Sequence, residues 1–255
     1  VLDYFARFMA NSPARMKPDY GYEFVDLEVD DDAEYPVTVT LRRTAGDDEG
    51  TERTVKAKYV VGCDGARSKV RQSIGSTLAG DAANHAWGVM DVLASTDFPD
   101  IRTKCAIQSS NGGSILHIPR EGGHLFRMYV DLGEVPEGDN GAVRKTSIDE
   151  IIAKANAILH PYTLDVRNVA WHSVYEVGHR LTDRFDDVKP EEVGTRTPRV
   201  FITGDACHTH SAKAGQGMNV SMQDGFNIAW KLGHVLDGRA PESLLSTYSA
   251  ERQVV

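Results

Sequence analysis

No stretch of these 255 residues strings together the roughly 18 apolar positions that a helix needs to cross a bilayer. The opening VLDYFARFMA has neither the basic start nor the apolar core of a secretory leader. A cytoplasmic protein is therefore expected, with no membrane partner. Cysteine is scarce: Cys63, Cys105 and Cys207 are odd in number, widely spaced and form no CxxC, which argues against a disulfide framework and for a reducing compartment. Positive charge is outweighed, with 28 Lys and Arg against 37 Asp and Glu and a net charge of -9, which excludes a sequence-independent nucleic-acid surface and favours a small-molecule substrate. Internal repeats and low-complexity tracts are absent. The chain opens without Met and closes on SAERQVV inside an expected helix, so a piece of a longer protein is expected.

What is present is patterned as mixed α/β. PVTVTLRRT alternates Val37, Val39 and Leu41 against Thr and Arg, and the acidic AGDDEG that follows suits a hairpin turn. VKAKYVVG ends in Tyr59, Val60 and Val61, the continuous apolar run expected of a strand buried on both faces. CDGARSKVRQSIG then turns into a helix with Ser68 as its N-cap. WGVMDVLA, CAIQS, SILHIPR and HLFRMYVDL predict a sheet, the last two joined by the turn EGG. Period-two alternation puts Phe126, Met128 and Val130 on one face of the last strand and Leu125, Arg127 and Tyr129 on the other, so that a mixed polar face can roof a ligand pocket.

Ser147 and Glu150 predict a capping box opening the helix IDEIIAKANAILH, which should stop near Pro161. In VAWHSVYEVGHR the residues Trp171, Ser173, Tyr175 and Val177 share a face, and of the two readings open for Trp171 and Tyr175, lining the ligand pocket or packing in the core, the core is expected. A loop rich in charge and Pro leads to the strand RVFITGDA and then to a long helix. Met222, Phe226, Ala229, Gly233 and Leu236 predict that helix's apolar stripe, and Gly238 its stop.

Two segments carry chemistry. VFITGDACHTHSAKAGQGMNVSMQDG delivers Asp205 at the carboxyl end of a strand, where ligands of open α/β folds bind, with Gly204 allowing close approach. Such a carboxylate can accept hydrogen bonds from sugar-like hydroxyls. The loop Ala214, Gly215, Gln216, Gly217, Met218 and Asn219 feeds a helix whose free N–H groups favour an anion. Read alone, GDA is an ordinary turn whose Asp caps a helix. In YVVGCDGARSKVR, Asp64 cannot hold a pyrophosphate itself and would orient Arg67, water or backbone N–H groups, while Arg67 supplies positive charge. Read alone, DGARS is a turn with a capping Ser and an exposed Arg. Cys207, His208 and His210 are too close in sequence for a tetrahedral metal site, and no metal is expected.

Both segments, in this order, resemble the two FAD-contacting motifs of the single-component flavoprotein aromatic hydroxylases. DYFARFMANSP, IPREGGHLFRMYV, HPYTLDV and YSAERQ extend the likeness over nearly the whole chain. The resemblance implies part of a Rossmann-like FAD-binding domain carrying an inserted, mostly antiparallel substrate sheet. On this reading 1–85 and 181–255 are FAD-binding portions and 86–180 is the substrate domain. FAD contacts fall on Asp64, Gly65, Arg67, Gly204, Asp205, Ala214, Gly215, Gly217, Met218 and Asn219. The resemblance gives Lys104 and Tyr129 to the substrate's carboxylate and ring substituent. It places Arg120 near the flavin, with Arg120 and Tyr129 as the catalytic candidates. Without it, Lys104 is equally a solvated strand end and Tyr129 a core tyrosine.

The implied reaction is NADPH- and O2-dependent hydroxylation of a phenolic ring through a C4a-hydroperoxyflavin, with 3-hydroxybenzoate 4-hydroxylation expected. Phenol or resorcinol 2-hydroxylation, or a non-catalytic FAD- or aromatic-binding regulator, are the alternatives. A homodimer is expected of the full-length protein, and little activity of this piece alone. Three departures stand out: the GxGxxG turn is missing, Ala212 replaces a usual Pro, and the thioredoxin-like C-terminal domain of some members is missing.

Overall fold

The computed structural model describes residues 1–80, 85–110, 112–136, 138–209 and 217–253. In chain order the regular elements begin with α1 (Leu2–Ala10), β1 (Tyr22–Val29), β2 (Val37–Arg43), β3 (Glu52–Ala57), β4 (Val60–Gly62), α2 (Lys69–Ser73) and β5 (Leu78–Gly80). They continue through β6 (His85–Thr96), β7 (Cys105–Gln108), β8 (Ser114–Pro119), β9 (Phe126–Glu134), α3 (Ile148–Leu159), β10 (Leu164–Val177) and β11 (Arg180–Thr182). The last are β12 (Val200–Ile202), β13 (His208–Thr209), α4 (Gly217–Leu236) and α5 (Thr247–Arg252). Two compact units result. One comprises Val1–Thr77, Arg184–Ala206 and His234–Val255, the other Leu78–Asp183 and Cys207–Gly233. The segment Cys207–Gly233 thus groups with the five-stranded sheet rather than with its sequence neighbours.

In the first unit the acidic hairpin forms as expected: β2 pairs antiparallel with β3 on one side and β1 on the other, burying Val37 and Val39. The apolar run VFI becomes β12, buried throughout and paired in parallel with β4. Tyr248 of α5 packs edge-on against Phe201, and its hydroxyl donates to the Ile202 carbonyl at 2.8 Å. The expectation that Tyr59, Val60 and Val61 are buried on both faces is corrected here. They are half-buried, because among the described strands β4 pairs only with β12 and its other edge is open.

In the second unit five antiparallel strands run in the order β10-β6-β9-β8-β7. Their apolar face supplies Met90, Val92, Ile115, Phe126, Met128 and Val130 to a core closed by Ile151, Ala155 and Ile158 of α3. The capping box forms at Ser147 and Glu150, and α3 ends at Leu159, before Pro161. The opposite face of this sheet is the polar one.

The expected stripe on α4 is the wrong one. Met222, Leu236 and Phe226, the last 74% exposed, face outward, while Asp224, Ile228 and Lys231 form the buried face. Polar groups can occupy a buried face when they are bonded there, as Asp224 is to His208, so residue type alone misassigns it. Gly238, with φ +70, follows the helix end as expected.

Candidate functional site

After β4 the chain turns through Asp64 and Gly65. Gly65 has φ +79, a left-handed conformation that favours glycine. The turn feeds α2, where Ser68 is the N-cap, accepting from the Arg71 N–H at 2.9 Å. Asp64 resolves to the backbone alternative among its expected partners. Its Oδ2 accepts from the N–H groups of Lys69 and Val70 at 2.8 and 3.1 Å, and its Oδ1 accepts from the Ser68 hydroxyl at 2.5 Å. Arg67 is exposed and has no partner among the described residues. Arg71, which the sequence reading passed over, is buried and donates to the carbonyls of Ala206 at 3.0 Å and Ala66 at 2.9 Å. One guanidinium therefore ties the turn after β4 to the turn after β12.

That second turn begins at Thr203 and Gly204, the latter with φ +62. Thr203, Gly204 and Ala206 are buried, and between them the Asp205 carboxylate is exposed with no partner among the described residues. The Thr203 hydroxyl oxygen is buried and also lacks a partner there. A free carboxylate at the carboxyl end of a buried parallel strand, and a free guanidinium at the neighbouring strand's turn, fit the hydroxyls and pyrophosphate of FAD. Further on, Cys207 is buried, and His208 Nε2 lies 2.6 Å from Asp224 Oδ2. Among the described residues no cluster of three or more metal-ligating side chains forms. His210, Ala212, Ala214, Gly215 and Gln216 lie outside the described residues, whereas Gly217, Met218 and Asn219 open α4.

In the second unit the polar face of the sheet gathers the substrate candidates. Register places Tyr129 beside Leu116 and Val89, and Arg127 beside Ile118 and Asp91. Asp91, 6% exposed, is the hub. Its Oδ1 accepts from Arg127 Nε at 2.7 Å, and its Oδ2 accepts from a second Arg127 nitrogen at 2.7 Å and from Arg120 at 2.6 Å. The Arg127 hydrogen bonds, against burial and with help from Arg120, hold Asp91 below the usual carboxylate range. The Asp91 hydrogen bonds, opposed by burial and joined by one involving the Tyr129 hydroxyl, raise Arg127 above the ordinary guanidinium value. The Arg127 guanidinium carbon also sits 5.3 Å from the Trp171 ring centroid.

Trp171 and Tyr175, expected in the core, are instead 40% and 43% exposed, with ring centroids 6.4 Å apart. They share the face of Arg127 and Tyr129 because Trp171 pairs with Asp91 and Tyr175 with Trp87. Lys104, just before β7, is exposed, has no partner among the described residues and continues the alternation of Ala106 and Gln108, which face the same way as Tyr129. Lys104 and Tyr129 thus share a face but stand two strands apart, about 10 Å in the pairing direction. A cavity of about 230 Å³ opens on this face, lined in part by Trp87, Ala106, Gln108, Ser114, Leu116 and Asp131. Asp91 and Arg127 were missed as site residues. The available signal was a lone Asp inside the apolar run WGVMDVLA, since a buried charge requires a partner.

Residues 10–255 match the family described as FAD binding domain. The chain is 55% identical to 3-hydroxybenzoate 4-monooxygenase of Comamonas testosteroni, over 100% of this chain and 40% of that protein. It is 41% identical to phenol 2-monooxygenase fsqG of Aspergillus fumigatus, over 89% of this chain and 36% of that protein. Among solved structures, OxyS anhydrotetracycline hydroxylase from Streptomyces rimosus superposes with a TM-score of 0.69 at 27% identity, covering 93% of this chain and 43% of that one. The chain therefore spans about two fifths of the length of these relatives.

Proposed function

The chain belongs to the FAD binding domain family, and from that premise we propose that the protein containing it hydroxylates 3-hydroxybenzoate at C4, using FAD, NADPH and O2. The balance is one ring C–H converted to C–OH, with the second oxygen atom leaving as water and NADPH supplying the two electrons. Bound FAD supplies the oxygen activation. The chain's residues bind and orient. In the first unit Asp205 accepts hydrogen bonds from cofactor hydroxyls and Arg67 meets a pyrophosphate. In the second unit, taken by itself, the N–H groups of Gly217, Met218 and Asn219 at the start of α4 favour an anion. Asp64 and Arg71 hold the turn after β4 in shape.

The observation that carries the substrate assignment is the polar sheet face, where Lys104, Arg120, Arg127 and Tyr129 stand on one side of a sheet whose other side is core. Lys104, without a partner among the described residues, is suited to a carboxylate, and Tyr129 to a ring oxygen. The test is the product formed by the full-length protein from 3-hydroxybenzoate, phenol and resorcinol. 3,4-Dihydroxybenzoate should predominate. A preference for phenol moves the substrate to the neutral class, and bound FAD or aromatic ligand with no substrate-stimulated NADPH oxidation makes the protein a binding module.

A further inference from the structure

The buried carboxylate of Asp91 has more cation than it needs. Arg127 alone meets both its oxygens with a two-pronged hydrogen bond, 2.7 Å on each prong, yet Arg120 adds a third at 2.6 Å. Arg120 also contacts Glu121 at 2.7 Å, but that carboxylate is 82% exposed and its charge is screened by solvent. The sheet face around Tyr129 thus carries two guanidinium groups that share one buried carboxylate as their common anchor. Arg127 is further confined from the side by the Trp171 ring at 5.3 Å.

We propose that Asp91 is a positioning residue for ring hydroxylation, fixing the planes of Arg127 and Arg120 so that their guanidinium N–H groups and the adjacent Tyr129 present one rigid surface to an anionic oxygen of the aromatic substrate. This rests on the hydroxylase reading of the same face. A fork held at two atoms cannot swing, whereas a free arginine samples many rotamers, and orientation governs rate more steeply than binding. Removing the Asp91 charge releases the Arg127 fork and leaves Arg120 to Glu121, so an anionic substrate still binds while its ring loses alignment.

The test uses the full-length FAD-loaded enzyme, NADPH and whichever of 3-hydroxybenzoate and phenol the unmodified enzyme hydroxylates. The readouts are kcat, KM and coupling, the product formed per NADPH consumed. Asp91→Asn is expected to lower kcat for product by about tenfold or more, with coupling falling alongside and KM unchanged or lower. Asp91→Glu should restore part of the coupling. In an Arg127→Met background the same Asn substitution should cost less than in the unmodified enzyme, because only its hold on Arg120 is then left to lose.

Full coupling in Asp91→Asn, or an undiminished loss in the Arg127→Met background, overturns the proposal. Should Asp91→Asn fail to retain FAD, Arg127→Lys decides, since it keeps the charge and loses the fork. Reduced coupling supports the role of Asp91 and unaltered coupling overturns it. A preference for phenol in the unmodified enzyme overturns the carboxylate assignment alone, leaving Asp91 to the variants. Hydroxylation of neither compound overturns both.

Discussion

Two aspartates close the turns after the parallel strands, and the structure gives them opposite employment, which Asp205→Ala and Asp64→Ala should separate. Asp64 accepts three hydrogen bonds within its own turn and helix, whereas Asp205 has no partner among the described residues. Deleting the Asp205 carboxylate therefore breaks no described bond, and its effect on folding should stay within about 0.5 kcal/mol, as for an ordinary surface substitution. If that carboxylate receives a cofactor hydroxyl, one charge-assisted hydrogen bond is lost, about 1.5–3 kcal/mol, or roughly ten- to a hundredfold in FAD affinity. Asp64→Ala leaves the Ser68 hydroxyl and the first N–H groups of α2 without their acceptor and should cost about 0.5–2 kcal/mol of folding stability, the scale of a lost helix cap. Urea denaturation of the FAD-free full-length protein measures the first quantity and flavin fluorescence titration the second. The reasoning fails if Asp205→Ala binds FAD as the unmodified protein does, or if it unfolds as readily as Asp64→Ala.

Lys104→Met keeps the aliphatic stem and drops the charge, and it should cost about 1.5–3 kcal/mol of 3-hydroxybenzoate binding but much less for phenol; equal falls in kcat/KM for the two would make Lys104 structural. Arg71→Met leaves the Ala66 and Ala206 carbonyls without its N–H groups and should lower stability by about 1–3 kcal/mol, and FAD affinity with it; unchanged urea midpoints would refute the tie between the turns. Met128→Ala, at a fully buried site facing α3, should cost about 2–5 kcal/mol, whereas Tyr175→Ala on the opposite face should cost far less, as thermal melts would show. For pH, Asp91 is depressed in the folded state, so its contribution to stability is complete above its unfolded value of about 4 and is lost as pH falls through the lowered value. Asp91→Asn should therefore flatten the acid limb of the stability curve below about pH 4, and an unaltered limb would refute the assignment.

Much of this was legible because period and capping are local. Alternation in HLFRMYVDL fixed which residues of β9 meet α3, and Ser147 with Glu150 marked where α3 starts. What escaped depends on partners distant in sequence. The Asp91–Arg120 bond spans 29 residues, Arg71–Ala206 spans 135, and neither leaves a periodic trace. The α4 stripe was misread because an Asp bonded to a His satisfies a buried face as well as a Leu does. For Trp171 and Tyr175 the alternation shows only that they share a face, and register with β6 tells which face that is.

The alternation along β9 also divides labour by parity. Even-numbered Phe126, Met128 and Val130 answer to α3, while odd-numbered Arg127, Tyr129 and Asp131 answer to whatever lies across the open face. Replacing an odd-numbered side chain leaves the apolar contacts of its neighbours intact, and inserting a single residue would exchange the two sets wholesale. Under the substrate reading proposed for this face, preference can therefore drift by point substitution along one parity while the fold stays where it was. Across the sheet such drift stops at the register partners on β6, where Trp87 and Val89 are buried and Asp91 is bonded to Arg127 and cannot change alone.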